Sequence, residues 1–166
     1  MTNLVDVLLD SFKHEAKQAR VVLDKARMAK SDFVPCKGIR PLIDLVNHLA
    51  QTPLMDPSVY SSQLGSVEVI QKREKELYRA DINGALGVFD EGIKSVEKRF
   101  SKMTEEEFLE KNLRPFYESG DTKNWAYYLP EMTRHIAMHK MQLWMYLKLA
   151  GVPVSMRTYY GGHPND

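Results

Sequence analysis

The sequence predicts an all-α protein, and more specifically a four-helix bundle. Three observations support this prediction. Apolar residues recur at spacings of three and four in four long segments, which is the period of a helix with one buried face. Residues typical of helix caps stand at the ends of these segments. No segment shows the sustained apolar and polar alternation of a half-buried strand. We therefore expect an up-down bundle, with room for one long connection.

Residues typical of helix ends mark the bounds of the four helical segments. Asn3 and Asp81 are suitable N-caps, because their side-chain oxygens can accept hydrogen bonds from free backbone N–H groups. Pro41 suits a first helical turn, and Gly151 is a typical C-terminal stop. The predicted helices are residues 3–30, 39–51, 82–100 and 124–150.

The connections between these helices are less regular. Pro53 and Pro57 interrupt the second apolar pattern, so residues 52–62 are predicted to be a loop. Thr104 and Glu107 have the spacing of a capping box and predict a further short helix. The remaining predictions are a helix or turn over residues 63–79, a loop or short hairpin over 112–125, and an irregular tail over 152–166.

Length and composition limit the class of protein. The 166 residues fit one domain spanning residues 1–166. The net charge is +1, which gives no general attraction to nucleic acid or anionic lipid. No apolar run approaches the roughly 20 residues of a membrane span, and the N-terminus lacks the pattern of a signal peptide. The single Cys36 excludes an intramolecular disulfide, and a reducing cytoplasm is the expected location.

Two histidines stand on one face of the last predicted helix. His135 and His139 are four residues apart, and therefore one turn apart. Buried imidazoles need polar partners, and a divalent cation satisfies two neutral rings at once. The alternative is a pair of core histidines bonded to Tyr, Gln or backbone, and the pattern alone leaves both open. The apolar stripe that holds the two histidines comprises Tyr128, Met132, His135, His139, Gln142, Leu143, Tyr146 and Ala150.

His48 is a third candidate ligand. It lies beside Leu45 at the flank of the second helix, from which its ring could reach the centre of a bundle. Taken alone, His48 is more typical of a residue at the boundary between the apolar core and the surface. Other metal motifs fit poorly, because Ile136 stands where a zincin helix carries its catalytic Glu, and no Glu-x-x-His pair occurs. One cysteine cannot form a Cys-rich zinc site.

Two segments resemble the DinB/YfiT-like family. In RHIAMHKMQLWMYLKLAGVPV, residues 134–154, the pattern is His-x3-His-x2-Gln followed by Leu-x-Gly-Val-Pro, as in the last helix of that family. In IRPLIDLVNHLA, residues 39–50, His48 occupies the position of the first family histidine. The sequence departs from the family at Met138, where relatives often carry His, and at Lys140 and Met141, which replace the usual Arg-Gly.

The resemblance implies a four-helix bundle that holds a divalent metal through His48, His135 and His139, often as a homodimer. Some relatives are thiol-dependent transferases or isomerases that use bacillithiol or mycothiol. Nickel, zinc and iron all suit such a site, as does copper, so the sequence does not select the ion. Three histidines leave coordination positions open for a water or a thiolate.

The leading functional hypothesis is a metal-dependent enzyme acting on a small molecule, either a low-molecular-weight-thiol S-transferase or a hydrolase. The alternatives are a non-catalytic, stress-related metal-binding bundle and a helical dimerisation protein without metal. No catalytic residue besides the metal ligands is predicted, and a structural amide is the favoured role of Gln142. Trp144 is expected on the back of the last helix and Met145 between the back and the stripe, and exposed Trp and Met at such positions support a homodimer. His14 and His163 are expected to face solvent or to lie in the tail, and Cys36 is expected to be a bystander.

Overall fold

The computed structural model of the chain describes residues 3–162. Within this range it contains helices and no strand, which confirms the all-α prediction. Four helices are long, as a four-helix bundle requires, and three are short. In chain order the helices are α1 (Leu4–Lys25), α2 (Leu42–Tyr60), α3 (Val67–Leu77), α4 (Ile82–Phe100), α5 (Glu105–Leu109), α6 (Trp125–Leu149) and α7 (Met156–Tyr159), and a 3-10 turn (Ala26–Met28) follows α1.

Side-chain caps determine where several helices begin. Asn3 accepts a hydrogen bond from the Val5 amide at 2.8 Å, and Asp81 accepts one from the Gly84 amide at 2.9 Å. Each bond satisfies one of the amides that a first helical turn leaves without a partner. Thr104 and Glu107 form the predicted capping box at the start of α5. These caps are therefore confirmed.

The relative directions of the long helices follow from their contacts. α2 and α6 are antiparallel, because the end of α2 meets the start of α6 where Tyr60 stacks on Tyr128. α1 and α4 are also antiparallel. Arg20 bonds to Asp90, whereas Arg27, which comes later along the chain, bonds to Asn83, which comes earlier in α4. α2 packs most extensively against α4, and α1 against α6.

The directions of the four long helices differ from the simple up-down expectation. Asn47 near the start of α2 bonds to Arg79, which directly precedes α4, whereas Pro53 further along α2 packs against Gly92 further along α4. α2 and α4 are therefore parallel, and the bundle runs up, down, down and up. A parallel neighbouring pair needs a connection that crosses the length of the bundle. Residues 61–81 form this connection and include helix α3.

The predicted loop over residues 52–62 is wrong, because α2 continues through both prolines to Tyr60. Pro53 has no N–H for the carbonyl of Leu49, one turn before it. The hydroxyl of Thr52 donates to that carbonyl instead, at 2.9 Å, so the acceptor keeps a partner. The longer helix adds two turns to the face that meets α6.

A close approach between α2 and α4 supports this extension. A Cβ placed on Gly92 would lie only 2.8 Å from the Cβ of Pro53. The absence of a side chain at Gly92 therefore allows α4 to pack directly on the proline-containing part of α2. The apolar core lies between the four long helices and includes the fully buried side chains of Phe12, Leu49, Phe89 and Leu129. Burying each such side chain stabilises the fold by about 1.5–3 kcal/mol.

Two irregular segments have more structure than expected. Leu113 and Lys123 form an antiparallel bridge, which confirms the hairpin alternative for the segment before α6. The prediction of an irregular tail is wrong for residues 156–159, which form α7. Residues 163–166 of the predicted tail lie outside the described range. α7 covers the back of α6. Trp144 is consequently 8% exposed, with its indole N–H bonded to the carbonyl of Ser155 at 2.9 Å, and is not the exposed residue that was predicted.

None of the helices described by the structure has the length and apolar character needed to cross a membrane. The cytoplasmic location expected from the sequence stays a prediction.

Candidate metal centre

The structure brings His48, His135 and His139 together at the interface between α2 and α6. Their candidate ligand nitrogens all lie within 4.8 Å of one another. Nε2 of His48 lies 3.0 Å from Nε2 of His139, and the ring centroids of His135 and His139 are 4.8 Å apart. The antiparallel packing of the two helices creates this cluster, because it places the first half of α2 beside the middle of α6.

Two of the three rings are held by hydrogen bonds on the side away from the cluster. Nδ1 of His135 donates to the Asp56 carboxylate at 2.9 Å, and Nδ1 of His139 donates to the Gln142 carbonyl at 2.7 Å. A hydrogen on Nδ1 leaves the lone pair on Nε2. This is the arrangement in which an imidazole is oriented to bind a metal, with a carboxylate or carbonyl behind it.

The donor set fits a divalent transition-metal ion. Two metal–nitrogen bonds of 2.0–2.1 Å at angles from a right angle to the tetrahedral value separate their nitrogens by about 2.8–3.4 Å. The 3.0 Å between His48 and His139 lies within this range. Imidazole nitrogens suit zinc, nickel, iron and copper, whereas calcium and magnesium prefer oxygen. The three-histidine group can therefore hold a metal ion.

The environment keeps most of the cluster neutral. Burial lowers the pKa of His48 to about 3, with further lowering by the positive charges of His139, Arg40 and His135. Burial likewise lowers the pKa of His139. For His135 burial also lowers the pKa, but the hydrogen bond and the charge of Asp56 outweigh it, and the net shift is upward. Neutral imidazole is the form that binds a metal, so His135 is the ring for which protons compete most strongly.

Three adjoining cavities give access to the cluster. The α2–α3 cavity, of about 390 Å³, includes His48 and Arg40 in its lining. The hairpin cavity, of about 370 Å³, includes His135 and Tyr117. A central cavity of about 200 Å³ includes both His48 and His135 and shares lining residues with each of the other two. These volumes suit a small molecule that reaches the histidines from the side.

The sequence analysis missed Asp56 because it placed this residue in a loop. In the continuous helix α2, Asp56 follows His48 by eight residues, slightly more than two turns. This spacing would have indicated a shared side of the helix if the two prolines had not been interpreted as a break. The favoured interpretation of Gln142 as a structural amide was also wrong, since its side chain bonds to His139 and is otherwise exposed.

The other candidate residues lie around the cluster or away from it. Tyr128 is buried, stacks on Tyr60 and donates to Glu118 at 2.9 Å. Tyr146 donates to the backbone carbonyl of Arg40 at 3.2 Å. His14 is exposed on α1, as expected, and Cys36 is exposed. His163 lies outside the described residues.

The fold and the cluster define a helical-bundle protein with a three-histidine group on two facing helices. No protein-family model matches the chain, and no curated protein matches it. A solved structure from Exiguobacterium sibiricum 255-15, described as that of a candidate member of the DinB family, matches with a TM-score of 0.69 and 19% sequence identity. The match covers 95% of this chain and 99% of that chain. The chain therefore has a DinB-like fold.

Proposed function

We propose that the protein is a divalent-metal-dependent enzyme whose ion is bound by His48, His135 and His139. The convergence of these three side chains carries the proposal, because one buried and two half-buried imidazoles whose ligand nitrogens lie this close together can share one metal ion. The hydrogen bonds of Asp56 and Gln142 support it, since both orient Nε2 toward the cluster. The structure offers three protein ligands within this group, which favours open coordination positions over a closed structural site.

The reaction that the site supports best is the activation of a small thiol, with hydrolysis as the second candidate. A divalent ion with open positions lowers the pKa of a bound thiol or water. The chain contributes the ligands, the groups that orient them, and cavities that admit a small molecule beside His48 and His135. In a thiol transfer, the sulfur forms a bond to an electrophilic carbon, the leaving group departs with the electron pair, and the thiol proton passes to solvent.

The test is a conjugation assay on metal-loaded protein purified without a histidine tag. Bacillithiol, mycothiol and glutathione are each incubated with several electrophiles, and ester and amide substrates are tested in parallel. We expect thiol conjugation that requires metal and is lost in His48→Ala but retained in His14→Ala. If metal-loaded protein accelerates hydrolysis alone, the hydrolase is the better assignment. If it accelerates neither reaction, the enzyme proposal fails and a non-catalytic metal-binding protein replaces it.

We also propose that the protein forms a homodimer through the exposed face of α6. An apolar stripe on this face consists of Met138, Met141, Met145 and Leu149, each 40–62% exposed. A second copy is the occupant that we propose, because the net charge of +1 gives little repulsion between copies and the family resemblance implies a dimer. Light scattering should give the mass of two chains for the native protein and of one chain for Met141→Glu. A monomeric native protein would contradict the proposal.

A further inference from the structure

Tyr60 carries a hydroxyl for which the fold supplies no partner. The residue is 9% exposed, and it lines both the hairpin cavity and the central cavity, as His135 does. The hydroxyls of Tyr128 and Tyr146 donate hydrogen bonds within the protein, whereas that of Tyr60 bonds to no other described residue. Its oxygen is not sealed from solvent. A ligand in these cavities can therefore reach the Tyr60 hydroxyl.

The place of Tyr60 beside the cluster follows from the continuous helix α2. Asp56 and Tyr60 are four residues apart on this helix, so their side chains lie one turn apart on the same face. Asp56 bonds to His135 at 2.9 Å, and the Tyr60 ring stacks on that of Tyr128 with the centroids 4.4 Å apart. The contact between α2 and α6 that orients His135 thus also holds the Tyr60 ring.

The lining of the hairpin cavity favours a neutral aromatic ligand. Its two carboxylates already have cationic partners, since Glu118 bonds to Lys123 at 2.9 Å. Glu131 is paired with Arg134. A charged ligand would therefore meet no free counter-charge, whereas aromatic rings pack well on one another. The cavity of about 370 Å³ admits a compound with one ring. The apolar and aromatic part of its lining consists of Tyr60, Tyr117, Tyr128 and Met138.

The free hydroxyl adds one polar requirement for the ligand. A tyrosine hydroxyl keeps its hydrogen at neutral pH and can donate it. Because Tyr60 is nine-tenths buried, few water molecules can reach its hydroxyl, and an acceptor oxygen on the ligand would supply the missing partner. Tyr117 differs, since it is 59% exposed and a bond from its hydroxyl to a ligand would replace a bond to bulk water. Tyr60 is therefore the residue that favours a ligand with an acceptor oxygen.

We propose that the hairpin cavity binds a neutral aromatic compound with a carbonyl oxygen, and that the Tyr60 hydroxyl donates a hydrogen bond to this oxygen. The inference rests on the proposed function in one respect, because it makes this compound the substrate class of the three-histidine site. The binding itself requires neither a metal ion nor a thiol. The inference and the proposed function can therefore fail separately.

The test measures the binding of fluorinated probes by fluorine NMR, so it does not depend on catalytic turnover. Two probes have the same shape: para-fluoroacetophenone carries the carbonyl oxygen, and para-fluoroethylbenzene lacks it. Both are titrated into zinc-loaded and into metal-free protein. A charged probe, para-fluorobenzoate, is titrated into metal-free protein only, where its carboxylate has no ion to bind. The variants are Tyr60→Phe and the matched control Tyr117→Phe, each of which keeps its ring in the cavity.

We expect the native protein to bind the ketone about two- to tenfold more tightly than the ethyl compound, with and without zinc, which is the range for one neutral hydrogen bond. Tyr60→Phe should remove this preference without weakening the binding of the ethyl compound, because the ring and its stacking on Tyr128 remain. Tyr117→Phe should retain the preference. The benzoate should bind more weakly than the ketone.

A preference for the ketone that survives Tyr60→Phe, or that occurs only with zinc, would overturn the donor role of Tyr60. Tighter binding of the benzoate would overturn the neutral ligand class, and failure of every probe to bind would overturn the site. Each of these results leaves the proposed metal-dependent function standing. A protein that binds the ketone as expected but retains no zinc would overturn that function and leave this inference intact.

Discussion

The Asp56 carboxylate lies 2.9 Å from Nδ1 of His135 and joins α2 to α6 across the helix interface. Asp56 is buried, at 7% exposure, so its charge acts on His135 with little screening by water. The pair fixes the rotation of the His135 ring and directs its Nε2 toward His48 and His139. The fold thus orients a candidate metal ligand through a residue that is not itself a ligand.

Removing the Asp56 carboxylate should weaken metal binding. Loss of such a supporting group typically reduces metal affinity about 10- to 100-fold. We expect a smaller effect in Asp56→Asn, whose amide carbonyl still accepts from Nδ1, than in Asp56→Ala. Affinity is measured by competition with a chromophoric chelator. Asp10→Asn is the control, because the Asp10 side chain is 77% exposed on α1. An Asp56→Ala protein with native affinity would show that the carboxylate does not support the site.

Gln142 should act on His139 in the same way. Gln142→Ala removes the acceptor of the Nδ1 hydrogen, which frees the ring to rotate, and should lower metal affinity by up to about tenfold. Because Gln142 is exposed, the free energy of unfolding of the apoprotein should change by less than about 0.5 kcal/mol. Gln142→Glu keeps an acceptor at this position and should retain tight binding. Equal weakening in both variants would contradict an acceptor role.

The stability of the apoprotein should fall as the pH is lowered. The pKa of His48 is about 3 in the folded protein and 6.5 as its ordinary value. Between these values the unfolded chain binds more protons than the folded one, so acid favours unfolding. The contribution of His48 is thus fully present above about pH 6.5 and is lost progressively toward pH 3.

His48→Gln should therefore flatten the pH dependence of unfolding. Urea titrations between pH 7 and pH 4 measure the free energy of unfolding of native, His48→Gln and His14→Gln proteins. We expect a shallower decline for His48→Gln, because the base whose pKa is lowered in the folded protein is gone. We expect an unchanged decline for His14→Gln, because His14 is exposed. Parallel curves for all three proteins would mean that His48 is readily protonated in the folded state.

The contact between Gly92 and Pro53 predicts opposite effects at two glycines of α4. Gly92→Ala places a Cβ 2.8 Å from the Cβ of Pro53, and should cost about 1–3 kcal/mol of unfolding free energy through overpacking. A Cβ on Gly87 would meet nothing within 4 Å, so Gly87→Ala should stabilise by about 0.5–1 kcal/mol through helix propensity. Thermal and urea unfolding measure both. Destabilisation of equal size in the two variants would argue against this packing.

The sequence predicted much of the fold because local signals agree with it. Asn3, Asp81 and the Thr104–Glu107 capping box mark helix starts that the structure contains. The last helix was predicted within a residue or so of its bounds, Trp125–Leu149. Helical periodicity and caps are local properties of the chain, and they require no knowledge of how helices pack.

The errors arose where packing decides the structure. By local rules Pro53 breaks a helix. In the structure the Thr52 hydroxyl donates to the carbonyl of Leu49, and the absence of a side chain at Gly92 leaves space for the Pro53 ring. Trp144 lies on the back of α6 by periodicity, yet α7 covers it.

The candidate site was predicted in part. His135 and His139 share a helix, so their spacing alone places them on one face. His48 was a candidate from its place at the flank of the second helix, and the family resemblance was needed to join it to the other two, because its distance from them is a property of the antiparallel packing of α2 and α6. Asp56 could not be assigned without the continuous helix α2, since residues in a loop have no defined face.

The metal content of untagged protein tests the central claim most directly. Elemental analysis of native protein is compared with that of His48→Ala, His135→Ala, His139→Ala and the control His14→Ala, each with its far-UV circular dichroism. We predict about one divalent transition-metal ion per chain in the native and His14→Ala proteins. We predict loss of most of that metal in the other three variants, with helicity largely retained because the packed bundle supplies most of the folding energy. A native protein that binds no such ion after exposure to zinc, nickel and iron, or cluster variants that keep the native metal content, would contradict the account.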